Sequence, residues 1–86
     1  MSDLTLQMGI YRHYKGPLYQ VIGLAHDAND EDRTCVVYIG LELDGAHLGP
    51  RLCVRTFRDF IAYMDDDRPR FEYLGPVLTA RMVEGR

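Results

Sequence analysis

The sequence predicts an all-β domain, a small and strongly bent antiparallel sheet or SH3-like barrel with one short helix or helical turn. Three observations point there. Short apolar runs recur at roughly ten-residue spacing between turns rich in Gly, Pro and Asp, the rhythm of small barrels and bent sheets. Gly23 and Ala25 fall on one strand face, where two small residues together signal close backbone approach or sharp coiling. No helical crossover of adequate length lies between the runs, which excludes a parallel βαβ sheet.

The elements follow in order. Residues 1–8 carry apolar Leu4, Leu6 and Met8, the pattern of an N-terminal arm or short edge strand. The first full strand covers Gly9 to Lys15, and Gly16-Pro17 closes it in a hairpin turn. A second strand runs from Leu18 to His26, with Tyr19, Val21, Gly23 and Ala25 sharing a face. After the acidic turn at residues 27–32, a third strand spans Arg33 to Leu43. Its expected inward set is Cys35, Val37, Ile39, Leu41 and Leu43, with Thr34, Val36, Tyr38 and Glu42 opposite. Asp44-Gly45 signals a turn before a fourth strand that ends at Arg55.

Thr56-Phe57-Arg58-Asp59 then reads as a helix start, with Thr56 as N-cap and Asp59 in the first turn. Two continuations fit, the second almost as well as the first. Phe57, Phe60, Ile61 and Met64 have the spacing of an amphipathic helix. Alternatively, a single helical turn gives way to a strand at Ile61–Met64, which Asp65 to Pro69 would close as a hairpin onto Arg70–Leu74. Gly75-Pro76 ends the pattern, leaving residues 75–86 as a C-terminal tail and 9–74 as the single domain.

Composition bounds the function. The chain has 86 residues, 47% hydrophobic and 27% charged, which is globular composition for one small domain. Ten Lys and Arg against thirteen Asp and Glu give a net charge of −3, which argues against broad binding to duplex nucleic acid or an anionic membrane. With no signal-peptide pattern and no apolar run near the ~20 residues of a membrane span, the expected setting is the cytoplasm, as a monomer or small homo-oligomer. Cys35 and Cys53 are read as free thiols. Cys53 shares a strand face with Arg51 and Arg55, whose charge would favour a thiolate.

Several blocks, in order along the chain, resemble a known family. They are Gly9-x-Tyr11-x-His13-Tyr14-Lys15-Gly16, Tyr19-x-Val21-x-Gly23-x-Ala25, Val36-Val37-Tyr38, Val54-Arg55 and Pro69-Arg70-Phe71. Together they are similar to the short bacterial family called domain of unknown function 1653, over about residues 9–74. The resemblance implies no established activity. This chain departs from the family pattern at Cys53, where an aromatic is usual, at Thr56, where a proline is usual, and in the turn at Asp27-Ala28-Asn29.

The remaining question is chemistry. His13, His26 and His47 match no local metal motif, and no CxxC, HxxxH or HExxH pattern is present, so no metal is expected. Asp27, Asn29 and Glu31 mimic the start of a calcium loop, but Asp32 replaces the required Gly and Tyr38 the final Glu. Ser2 is the only serine and no phosphate-cradling Gly-rich loop exists, so no catalytic residue and no cofactor are assigned.

Recognition is better supported. Tyr11, His13 and Lys15 share a face of the first strand, and Tyr38, Arg55 and Arg70 come from other elements. Combined, they offer rings and donors for an anionic ligand such as a nucleotide or single-stranded nucleic acid. Against this stands a structural reading in which the tyrosines fill the core rim and the cations pair with the many carboxylates. A protein-docking or oligomerisation module is the alternative, and a small enzyme using His13 a second.

Overall fold

The computed structural model describes residues 5–41 and 51–84. The strands are β1 (Gly9–His13), β2 (Leu18–Asp27), β3 (Asp30–Gly40), β4 (Leu52–Thr56) and β5 (Phe71–Gly75). They form one antiparallel sheet in the order β4-β3-β2-β1-β5. Two short helices, α1 (Phe57–Phe60) and α2 (Ala80–Glu84), complete it. The fold class expected from the sequence is therefore found, as a bent sheet; among the described residues β4 and β5 do not pair to close a barrel. The expected Asp44-Gly45 turn and the end of the third strand at Leu43 lie outside the described residues.

Local chemistry explains the turns. Between β1 and β2, the His13 N–H donates to the Pro17 carbonyl at 2.9 Å and the Gly16 N–H to the His13 carbonyl at 2.8 Å, with Gly16 at φ 114°. Only glycine takes that backbone region readily. Between β2 and β3, the Asp27 carboxylate accepts the Asn29 N–H at 2.9 Å, a side-chain-closed turn tighter than the six-residue loop expected. Thr56 caps α1 as expected, its Oγ1 accepting the Asp59 N–H at 3.2 Å.

After α1 the second continuation holds in outline. The chain doubles back, with the Met64 N–H donating to the Arg68 carbonyl at 2.7 Å, the Arg70 N–H to the Ala62 carbonyl at 2.9 Å, and a Tyr63–Pro69 bridge. Asp67, at φ 67°, turns the hairpin, and Asp66 holds Arg68 at 2.6 Å. Pro69 and the short span keep this from becoming a full strand. The segment expected as a C-terminal tail carries α2, to which β1 is tied by the Arg12 guanidinium donating to the Met82 carbonyl at 2.8 Å.

One face of the sheet holds the core. Tyr11, Val21, Val36, Tyr38, Phe60 and Phe71 form it, with Leu24, Cys53, Phe57 and Tyr73 packed alongside. Phe60, brought over by α1, stacks on Phe71 with centroids 4.1 Å apart and planes at 7°. Tyr11 meets Phe60 and Tyr73 edge-on, each at 5.2 Å. Edge and offset contacts of this kind add to the burial energy of the rings.

Two expected facings are corrected by this core. Val36 and Tyr38, not Cys35, Val37 and Ile39, point inward from β3; Val36 is fully buried and Tyr38 nearly so. Apolar residues occupy both faces of β3 there, so alternation alone leaves the choice open. The second correction concerns β2, where a register shift between Val21 and Gly23 makes Ile22 a bulge. The bulge moves Leu24 onto the face of Tyr19 and Val21, and Ile22 outward at 53% exposure. Gly23 and Ala25 therefore do not continue the Tyr19–Val21 face. A Cβ on Gly23 would meet nothing within 4 Å, so close approach is not its role. Gly9 has that role instead: at φ 138°, an added Cβ would overlap the Gly75 carbonyl oxygen and lie 2.8 Å from the Pro76 Cα.

Candidate functional site

The β1–β2 turn sets the site. His13 ends β1 on the same face as Tyr11, and its imidazole packs edge-on against Phe71 at 5.0 Å. The ring's Nδ1 accepts the backbone N–H of Lys15 at 3.2 Å, so the neutral imidazole carries its proton on Nε2. Tyr14, next in the turn, lies tilted against His13 at 4.5 Å, and the Lys15 ammonium stands 5.8 Å from the centre of the Tyr14 ring.

Two arginines reach this turn from other elements. The Tyr14 N–H donates to the Arg70 carbonyl at 2.9 Å, which fixes Arg70 beside the turn just before β5. Arg55 leaves β4 on the core face, where its Nε–H donates to the Tyr38 hydroxyl at 3.2 Å. Its guanidinium lies 5.6 Å from the centre of Phe71, the ring that His13 also touches. Burial, followed by the charges of Arg55, Lys15 and Arg70, holds the His13 pKa below its ordinary value.

Among the described residues, carboxylates pair with Arg33 and Arg68, while Lys15, Arg55 and Arg70 form no ion pair. Among the described residues the Nε atoms of Arg12 and Arg70 are buried without a hydrogen-bond partner, a costly state for a cationic donor. An open cleft of about 280 Å³ at this end of the sheet is lined by Arg12, His13, Tyr14, Gly16, Arg68, Pro69 and Glu72, so that of His13, Lys15, Arg55 and Arg70 only His13 faces it. A second cleft of about 340 Å³, lined by Asp30, Asp32, Arg33, Phe57 and Arg58 among others, mixes both signs of charge.

Of the six residues singled out in the sequence, Arg55 shares the Phe71 ring with His13, Lys15 follows His13 in the turn and bonds its Nδ1 through the backbone N–H, and Arg70 holds the turn through its carbonyl. Tyr11 and Tyr38 are core residues, each 5% exposed. The Tyr11 hydroxyl donates to the Gln7 carbonyl at 2.7 Å, and burial, then Tyr73, raise its pKa. Tyr38 positions Arg55 from below. Tyr14 and Phe71 were missed as neighbours of the cluster; the signal for Tyr14 was its place in the turn, where strand alternation no longer separates it from His13. Cys35 and Cys53 are half-buried free thiols, and Cys53 lies 3.8 Å from its nearest partner, the Arg51 carbonyl. Among the described residues no group of three His, Cys, Asp or Glu is arranged to hold a metal ion, and no helix is long and apolar enough to cross a membrane.

Comparison with known proteins follows the same outline. The family model described as "Protein of unknown function (DUF1653)" matches residues 9–73. The crystal structure of a DUF1653 protein from Bordetella bronchiseptica is similar to this chain, with a TM-score of 0.73 and 32% identity, over 86% of this chain and 94% of that one. No match is found among curated proteins. The matched span takes in β1 through most of β5, and with it His13, Lys15, Arg55 and Arg70. The chain belongs to the DUF1653 family of proteins of unknown function.

Proposed function

We propose that this protein is a binding module, acting without chemistry of its own, whose His13–Lys15–Arg55–Arg70 cluster receives an anionic group. One observation carries the reading: Lys15, Arg55 and Arg70, three cations without carboxylate partners among the described residues, reach the turn that carries His13, in a chain of net charge −3. Cations placed together repel one another, and an acidic protein has carboxylates to spare for neutralising them. An arrangement that leaves them unpaired favours a charge-assisted bond to an anion from outside.

Backbone and His-ring chemical shifts, followed during titration with phosphate, nucleotides and short single-stranded oligonucleotides, test this. The expected result is movement at His13, Tyr14, Lys15, Arg55 and Arg70, abolished in an Arg55→Gln/Arg70→Gln variant. Unmoved resonances across that panel would sink the reading.

A docking module is the second reading, supported by a different surface. Leu52 and Val54 stand 67% and 64% exposed on β4, which lies at one end of the strand order. Edge strands with apolar side chains invite pairing with another chain. This reading expects sedimentation to show concentration-dependent association that Val54→Lys suppresses; a monomer at all concentrations counts against it.

A further inference from the structure

We propose that the cluster selects a compact dianion, the terminal phosphate of a phosphomonoester such as a nucleoside monophosphate, over the phosphodiester chain of a nucleic acid. The inference rests on the anion-binding reading and narrows it.

The first argument is the shape of the charge. A single nucleic-acid strand presents one charge per nucleotide along its length, and proteins that hold it set cations along a groove. Here Lys15, Arg55 and Arg70 come from the β1–β2 turn, β4 and the residue before β5. The Arg55 guanidinium and the His13 imidazole lie 5.6 and 5.0 Å from the centre of Phe71, the Lys15 ammonium stands 5.8 Å from the centre of Tyr14, which lies against His13, and the Arg70 carbonyl holds the Tyr14 N–H. That gathers the charge around one turn and does not lay it along a track. Doubling the charge of one group doubles its attraction to charge gathered in this way, whereas lengthening a chain of single charges adds little.

The second argument is the state of the rings. Strand-binding sites stack successive bases on open aromatic faces. In this protein Tyr11, Tyr38 and Phe71 are 5%, 5% and 7% exposed, and Phe60 and Phe71 cover each other. Tyr14 has His13 tilted against it and the Lys15 ammonium nearby. Tyr63 is open at 68% exposure, but one ring in the hairpin after α1 gives no run of platforms.

The third argument is the donor set. Arg70 forms no ion pair among the described residues. Arg55 commits its Nε to Tyr38, leaving its terminal amino groups for a ligand. His13 commits Nδ1 to Lys15, leaving Nε2–H. Donors arriving from His13, Arg55 and Arg70, with the Lys15 ammonium nearby, suit the three terminal oxygens of a phosphomonoester better than the two free oxygens of a diester.

A proton linkage follows. The groups facing His13 are Lys15 and Tyr14 from its own turn, Tyr19 from β2, Arg55 from β4, and Arg70 with Phe71 at β5. Their charges oppose a proton on the imidazole; a bound dianion offsets them and makes His13 more basic. By reciprocity, a dianion that does not itself titrate binds more tightly as the pH falls towards the His13 pKa.

The test uses the full chain and four probes: adenosine monophosphate, sulfate, dimethyl phosphate and a thymidine oligomer lacking terminal phosphates. Affinity is measured by calorimetry between pH 6 and 8, and the His13 ring by NMR. Adenosine monophosphate should bind roughly tenfold or more tightly than dimethyl phosphate, with the His13 pKa rising on binding, and sulfate affinity should grow towards pH 6. Arg70→Gln should erase the preference for the dianion. Tighter binding of the oligomer, or monophosphate binding at Lys15 and Arg55 with His13 unmoved, overturns the selectivity while the anion site stands. No binding by any probe overturns both.

Discussion

His13 is held neutral from two directions. The Lys15 N–H on Nδ1 competes with a second proton there, and burial together with Arg55, Lys15 and Arg70 disfavours the imidazolium. Arg55→Gln removes the strongest of the three charges and should raise the His13 pKa towards its ordinary value near 6.5, read from the ring resonances. A pKa that stays low would mean that burial alone sets it. The sign for stability follows from the same shift. The unfolded chain takes up a proton at His13 below about pH 6.5 while the folded chain resists it, so this residue's contribution is full above that pH. It is lost progressively as the pH falls from there to the lower folded value. Urea midpoints between pH 8 and 5 should show a decline in the wild type that Arg55→Gln flattens.

At the scale of elements, glycine and a hydroxyl decide how the sheet begins and ends. Gly9 lets β1 cross against the Gly75–Pro76 backbone at a bulge between Ile10 and Tyr11. Gly9→Ala places a side chain at a positive φ and against backbone that cannot swing aside, so it should cost about 1–3 kcal/mol or more in chemical denaturation. A change within a few tenths would mean that β1 and β5 separate at little expense. Thr56 ends β4 and starts α1, and thereby sets where Phe60 enters the core. Thr56→Ala should cost about 1 kcal/mol, with Thr56→Ser restoring most of it; equal losses in both variants would assign the effect to the methyl group instead of the cap.

The whole molecule depends on a small aromatic core under an open sheet. Phe60 is 1% exposed and touches Tyr11, Tyr38 and Phe71. Phe60→Ala should lose about 3–5 kcal/mol, a large part of the roughly 5–15 kcal/mol that stabilises a domain of ordinary size. Unfolding measured by urea should keep its slope and shift its midpoint, and a near-neutral result would show that α1 is not part of the core. The same aromatic layer supports the cation cluster, because Phe71 lies beneath both His13 and Arg55. Loss of Phe60 should therefore move the His13 ring resonances as well.

Turn chemistry and spacing sufficed for the outline of the fold. Gly16-Pro17, the Asp27–Asn29 turn, the Thr56 cap and the Gly75-Pro76 stop each act within a few residues, so each was legible from neighbours in the chain. The closeness of His13 and Lys15 was expected from strand alternation, but β1 ends at His13 and it is the turn that brings the Lys15 N–H onto the imidazole. Which way β3 faces was not legible. Val36-Val37-Tyr38-Ile39 is apolar on both sides, and the inward face was chosen by the bulge at Ile22 in β2 and by Phe60 arriving from α1, contacts between residues far apart in sequence. The same holds for Tyr11 and Tyr38, which look like surface rings in a list of residues and become core once Phe60 and Phe71 cover them. The approach of Arg55 and Arg70 to His13 likewise depends on β4 and β5 lying on either side of the β3-β2-β1 order, a pairing that only the folded sheet defines. Local preferences act through bonded neighbours and leave a sequence signature; facing and convergence come from long-range packing, in which many sequences of one pattern admit several answers.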